Sequence, residues 1–325
     1  MEIPESLKNR TIAITGANGY IGTRLRQFFK HNAIDVISVS RQAHQPDRDS
    51  NYIQADISDL ECWLELVTKA DIIFHLAGNT SVPVADSNPG LDLESTVQPM
   101  VHLIAAARKL GRKPRVVFSS TATVYGLTPV DPTTELMSPN PVTFYDLHKL
   151  FVEQQLAFAT ALGILEGISL RLTNVYGPSP GHSSSDSRGI LNKVTALALE
   201  GKPLSVYGSG EYIRDYIFID DVVDAFLRAA VCDRVKGQAL NIGSGKGVTV
   251  RDAFLTVVAE VEKQTKIKVD IKTVPWPQNP DEIEMRNFVA SIQKASSLLG
   301  WKPAISLNDG IRKLVSVNLE GFGDD

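Results

Sequence analysis

Thr15-Gly16-Ala17-Asn18-Gly19-Tyr20-Ile21-Gly22 is the stretch on which the reading of this chain turns. It follows the apolar run Thr11-Ile12-Ala13-Ile14 and precedes Arg24-Leu25-Arg26-Gln27-Phe28-Phe29. The order is that of a strand, a glycine turn and the opening of a helix. Gly16 permits the tight turn, Gly19 lets a pyrophosphate reach bare backbone, and Gly22 lets the helix close on the strand. The helix N-terminus adds unpaired N–H groups and partial positive charge. A lone glycine triplet is weak evidence, but the strand–turn–helix context makes this one a phosphate cradle rather than an ordinary structural turn.

Outward from the cradle, strands and helices alternate. The pattern predicts strands at 12–15, 35–40, 52–54, 72–76, 115–119 and 167–171. Repeated βαβ units with apolar, β-branched strands imply an α/β fold, a Rossmann-type doubly wound parallel sheet. Composition shifts after Tyr176-Gly177-Pro178: residues 178–188 are rich in Ser, Gly and Pro and read as a mobile loop. Beyond it the pattern gives a helix at 190–200, strands at 204–207 and 216–219, and a helix from Asp220. A strand at 241–242, a helix capped by Thr249 and a strand at 269–274 follow. The expected organisation is a dinucleotide-binding domain over 1–177 with a returning segment at about 216–245. Residues 178–215 and 246–325 form a smaller C-terminal α/β substrate lobe, with the ligand between the two.

Bulk properties exclude several classes. The chain has 325 residues, 43% hydrophobic and 22% charged, as expected of a large globular α/β protein. A formal net charge of −4 offers no basic field for nucleic acid or anionic lipid. No apolar run approaches the roughly 20 residues of a membrane helix, and the first ten residues carry no signal-peptide core. Cys62 and Cys232 lack metal spacing, and the six histidines form no ligand pair, so no metal site and a reducing, cytoplasmic setting are expected.

Two further segments carry chemistry. Tyr145-Asp146-Leu147-His148-Lys149 opens a helix, with Tyr145 and Lys149 one turn apart on one face. An ammonium there favours tyrosinate and makes the phenol an acid–base group near neutral pH. His148 reads as a helix-surface residue. Phe118-Ser119-Ser120-Thr121-Ala122-Thr123-Val124-Tyr125-Gly126 is a buried strand running into hydroxyls. These hydroxyls either cap exposed backbone or set one hydroxyl beside a reacting carbinol.

The three elements in this order resemble the extended short-chain dehydrogenase/reductase family, the nucleotide-sugar epimerases and dehydratases. Further matches are His75-Leu76-Ala77-Gly78, Arg171-Leu172-Thr173-Asn174-Val175-Tyr176-Gly177-Pro178, and Gly208 and Gly210 followed by Arg214-Asp215-Tyr216-Ile217-Phe218-Ile219-Asp220-Asp221. The resemblance covers nearly the whole chain. It implies that Tyr145 is the acid–base, that Lys149 binds the nicotinamide ribose and lowers the Tyr145 pKa, and that Thr121 positions the sugar hydroxyl. It implies cofactor contacts at Gly16, Asn18, Gly19, Tyr20, Ile21, Gly22, Asp56, Ile57, Leu76, Ala77 and Gly78. It implies contacts with a nucleotide-diphosphate sugar at Thr80, Ser81, Thr121, Thr123, Asn174, Tyr207, Arg214 and Arg286. A planar guanidinium fork matches phosphate oxygens, although Arg286 also reads as a solvated surface charge.

Departures from the family pattern narrow the activity. Ser95-Thr96-Val97-Gln98 stands where the family often carries Asn. Dehydratases of the family place an Asp–Glu pair after the active-site Thr, and Ala122 and Thr123 cannot do that work, which argues against a 4,6-dehydratase. His182 is the one residue of a Cys/His epimerase–reductase pair that could reach the pocket. At the end of the second strand Ser40-Arg41 replaces the acid of NAD-preferring proteins, so NADP(H) is expected over NAD(H). The alternative is that Arg41 stacks on adenine or faces solvent.

Hydride transfer at C4 of a nucleotide-diphosphate sugar is therefore expected, by a 4-epimerase or a 4-ketoreductase. The competing readings are a non-catalytic redox sensor, disfavoured by the presence of Tyr145, Lys149 and Thr121, and a reductase of a non-sugar carbonyl, disfavoured by Asn174 and Arg214. A homodimer is expected through the apolar outward positions of 150–161.

Overall fold

The structure is a computed structural model that describes residues 3–42, 51–128, 132–178, 189–278 and 281–321. Its first half runs β1 (Ile12–Thr15), α1 (Tyr20–His31), β2 (Val36–Ser40), β3 (Tyr52–Gln54), α2 (Leu60–Lys69), β4 (Ile72–His75), α3 (Val82–Ser87), α4 (Pro89–Thr96), α5 (Gln98–Leu110), β5 (Arg115–Thr121) and α6 (Phe144–Ala161). The second half runs β6 (Glu166–Leu172), β7 (Asn174–Tyr176), α7 (Ile190–Leu199), β8 (Leu204–Tyr207), β9 (Ile213–Phe218), α8 (Ile219–Val231), β10 (Ala239–Ile242), β11 (Gly247–Thr249), α9 (Val250–Thr265), β12 (Ile271–Val274), α10 (Gln293–Leu299) and α11 (Leu307–Gly321). The loop expected at 178–188, with His182, lies almost wholly outside the described residues.

Seven strands form one parallel sheet in the order β10-β6-β5-β4-β1-β2-β3. Order reverses about β1, which leaves a crevice at the carboxyl ends beside it, where doubly wound sheets bind ligands. The sheet is covered on both faces, and its central strands β1 and β4 are buried throughout. On one face Ile12, Ile14 and Phe74 pack with Leu25, Phe29 and Phe226; on the other Ala13 and Ile73 pack with Trp63, Leu66, Met100 and Leu103. Alternate residues of one strand thus feed two cores, which explains why these strands read as continuous apolar runs.

The second region holds a three-stranded sheet, β11-β9-β7, and a parallel pair, β12-β8. Its core is built from α7, α9 and α11, with Leu191, Val257 and Leu314. Two details differ from the sequence expectation. Strand 213–218 begins three residues earlier than expected, because Ile213 and Arg214 pair with β11. The strand 174–176, which the sequence pattern does not predict, pairs with β9, so the chain changes sheets between Leu172 and Asn174. The strand returning to the large sheet is β10 alone. Among the described residues no helix is long and apolar enough to cross a membrane.

Candidate active site

The glycine turn forms the floor of a cavity of about 360 Å³. Gly16 has φ 69°, and a Cβ there would stand 2.8 Å from the Ala77 nitrogen. A Cβ on Gly22 would stand 2.2 Å from the Gly16 carbonyl oxygen. Gly19 is the N-cap of α1 without a side-chain cap bond, which leaves the amides of its first turn for an outside acceptor. A cradle closed to any side chain and rimmed by free amides fits a dinucleotide pyrophosphate.

Gly16, Asn18, Gly19, Ser40, Arg41, Asp56, Ile57, Leu76, Ala77, Gly78 and Thr80 all line the cavity. Asn79, Asp92 and Ser95 line it as well, and sequence reasoning did not name them for this role. Tyr20 and Ile21 sit behind the floor. The Tyr20 ring is buried and its hydroxyl donates to the Gly177 carbonyl at 2.9 Å, while Ile21 packs into the core. Asn18 is a brace: its amide donates to Tyr52 Oη at 3.1 Å and its oxygen accepts from Arg26 at 2.9 Å. At the end of β2 Ser40 Oγ accepts from the Gln42 N–H, and no carboxylate stands there.

The catalytic candidates meet where β5 ends against α6. Lys149 is 4% exposed, donates to the Ser119 carbonyl at 3.2 Å, and lies 5.0 Å from the Phe118 ring centre and 5.8 Å from that of Tyr145. Burial pushes its pKa down to about 8, against the pull of Asp92 and Glu153. A Cβ on Gly78 would approach its Nζ to 3.7 Å, so the ammonium stands at the rim of the dinucleotide cavity. Thr121 Oγ1 lies 2.7 Å from Thr123 Oγ1 and accepts from the Thr123 N–H at 3.2 Å. Thr123 Oγ1 donates to Asp146, whose second oxygen accepts from Thr143 Oγ1 at 2.7 Å. Asp146 is fully buried, and burial lifts its pKa to about 6 despite the two threonines and nearby Arg286.

His148 is a correction. Expected on the helix surface, it is 4% exposed, and its Nδ1 lies 2.6 Å from Asp92 Oδ2. The cause is α4, which packs on this part of α6 and covers it. Asp92 also accepts from Asn79 Nδ2 at 2.8 Å, so a buried carboxylate ties the cavity wall to the helix of Tyr145 and Lys149.

On the other side Asn174 Nδ2 donates to the Asp215 carbonyl at 3.0 Å. Arg214 is 6% exposed and its guanidinium donates to the carbonyls of Ile213, Glu284 and Arg286. Arg286 is partly buried, which corrects the alternative of a solvated surface charge. Burial and the neighbouring Arg214 cation depress its pKa to about 10. Tyr207 is half-exposed and stacks on Trp276 at 5.4 Å between ring centres. Ser81 caps α3 by accepting from the Val84 N–H. Beneath β5, Glu153 takes three bonds from Arg171 and one from Ser120 Oγ; Arg171 also donates to Tyr125 Oη at 2.7 Å.

Known proteins place this geometry. The model of the NAD dependent epimerase/dehydratase family matches residues 12–243. A UDP-glucose 4-epimerase of Mycolicibacterium smegmatis is 30% identical over 312 residues, 93% of this chain and 96% of that protein. The structure of a UDP-glucose 4-epimerase from Thermotoga maritima with UDP-glucose superposes with a TM-score of 0.83 at 28% identity, covering 96% of this chain and 99% of that one. That of a Thermus thermophilus UDP-glucose 4-epimerase with NAD gives 0.80 at 25% identity, covering 94% and 98%. The chain therefore belongs to the NAD dependent epimerase/dehydratase family and is an enzyme of the extended short-chain dehydrogenase/reductase type.

Proposed function

We propose that the protein interconverts the two C4 epimers of a UDP-sugar, holding its dinucleotide in the glycine cradle. The observation that carries this reading is Lys149 at the rim of the dinucleotide cavity beside the Tyr145 ring, with Thr121 at the end of β5 joined to the same helix through Thr123 and Asp146. A bound nicotinamide would supply a reversible hydride acceptor. The chain's own part is acid–base: Tyr145 takes the C4 hydroxyl proton as the C4 hydride leaves, then returns it when the hydride comes back to the other face. Lys149, buried beside that ring, stabilises the phenolate electrostatically. Arg214 and Arg286 supply positive charge toward the diphosphate, and Tyr207 on Trp276 offers an aromatic platform. Neither Ala122 nor Thr123 offers the acid and base a dehydratase needs.

A second reading, a 4-ketoreductase drawing on NADPH, is favoured by Ser40 and Arg41 in the cavity wall, where a hydroxyl and a guanidinium suit a 2′-phosphate. We infer NADP(H) over NAD(H) on the same ground. Cofactor content of the purified protein separates the readings. Stoichiometric dinucleotide with interconversion of UDP-glucose and UDP-galactose supports the epimerase. Dinucleotide-free protein that oxidises NADPH only with a keto sugar supports the reductase and overturns the first.

We also infer a homodimer through α5 and α6. Val101 on α5 and Phe151 and Phe158 on α6 are 47%, 39% and 67% exposed, an apolar stripe at helical spacing. Sedimentation of Phe158→Glu as a monomer beside a dimeric parent would support it.

A further inference from the structure

We propose that Asp146 sets the hydrogen-bond direction of the Thr121–Thr123 pair, so that the site presents an acceptor to an alcohol or a donor to a ketone. The proposal rests on the C4 hydride-transfer reading above.

The argument is a count of protons. Each threonine hydroxyl has one proton and two lone pairs, and an ionised carboxylate has none to give. With Asp146 ionised, the Thr123 proton is committed to Asp146 Oδ1 and the Thr143 proton to Oδ2. The 2.7 Å contact between Thr121 and Thr123 can then be made only with Thr121 donating. One Thr121 lone pair holds the Thr123 N–H, and the other can receive a substrate O–H. With Asp146 protonated on Oδ1, the Asp146–Thr123 and Thr123–Thr121 side-chain bonds reverse. Asp146 donates to Thr123, Thr123 donates to Thr121, and the Thr121 proton is released toward a carbonyl oxygen. Oδ2 still accepts from Thr143, so both states leave the buried groups paired.

The carboxyl is well placed for such a switch. It is completely buried, immediately follows Tyr145 in the chain, and reaches the active-site threonine through a single hydroxyl. Arg286 faces it from the segment after residue 283 and favours the anion, while Asp86 on α3 opposes it. On α4, Asp92 is engaged with His148, and on its own helix Lys149 is engaged with the Ser119 carbonyl. Burial outweighs these influences and brings the titration to about pH 6, within reach of neutral conditions. Asp146 acts through the threonines and is a positioning residue. The hydride still leaves C4 for the nicotinamide and the hydroxyl proton still goes to Tyr145.

Asp146→Asn tests the idea, because an amide at this position can donate to Thr123 but cannot give up a proton. Single-turnover oxidation of UDP-glucose by the dinucleotide-loaded protein should rise with pH through a midpoint near 6 in the parent. The variant should lose that limb and oxidise roughly tenfold to a hundredfold more slowly, while reduction of a UDP-4-keto sugar changes far less. Thr123→Val should abolish the limb with Asp146 intact. Infrared titration of the parent minus Asp146→Asn, read at the protonated-carboxyl band without any sugar, should show the same midpoint. Equal slowing in both directions, or no titrating band, overturns the proposal. Failure of every UDP-sugar to be oxidised would instead overturn the functional reading, and the infrared midpoint alone would then decide the switch.

Discussion

Replacing Glu153 by Ala tests the polar network under the active-site strand. Glu153 and Arg171 are 6% exposed each, and the carboxylate accepts from Arg171 at 2.6, 3.0 and 3.1 Å. Removing the carboxylate strands a buried guanidinium whose remaining side-chain partner is the Tyr125 hydroxyl. Breaking one side of such a pair costs about 3–5 kcal/mol. The Ser120 hydroxyl loses its acceptor too, which adds about 1 kcal/mol. The expected loss is therefore about 4–6 kcal/mol. Replacing both partners by Met removes the two charges together and should recover most of it, because apolar side chains of similar volume owe no desolvation. Equilibrium urea unfolding followed by tryptophan fluorescence reads this directly, since Trp63 and Trp301 are fully buried. A single variant within about 1 kcal/mol of the parent, or a double variant no better than the single, would refute the reasoning.

Three further outcomes are expected. Tyr145→Phe should lose roughly 10²–10⁴ in kcat while its affinity for UDP, measured by calorimetry, stays the same. Arg41→Asp should weaken NADPH binding by about 2–3 kcal/mol, some thirtyfold to over a hundredfold, and weaken NADH far less in fluorescence titrations. Lys149 loses its proton as pH rises through about 8, so kcat/KM should fall on that alkaline limb, and Lys149→Arg should shift the limb upward. The sign for stability is opposite. Between about 8 and the ordinary value of 10.5 the unfolded chain holds a proton the fold has released, so stability from this site grows with pH across that window in urea titrations.

Local patterns were legible because their physics is local. The β1 run, the glycine spacing and the Tyr145–Lys149 interval each depend on neighbours within a turn or two. What escaped depends on partners far along the chain. His148 looks like any polar helix residue until α4, more than fifty positions earlier, supplies Asp92. Asp146 reads as an acid three residues after the helix-capping Thr143, and only the arrival of Thr123 from the end of β5 turns it toward the site. Strand 213–218 starts early because β11 returns to pair with Ile213 and Arg214. Arg214 had a signature but no geometry: its donors go to carbonyls of a segment some seventy residues later.

The change of sheets at Thr173 bears on how a sugar gets in. One residue separates the end of β6 from the start of β7, and its N–H is tied to the Ile242 carbonyl at 3.1 Å. A joint this short has little slack, so any widening of the mouth to admit a sugar has to be absorbed at the other crossings between the two sheets or in the loops around it.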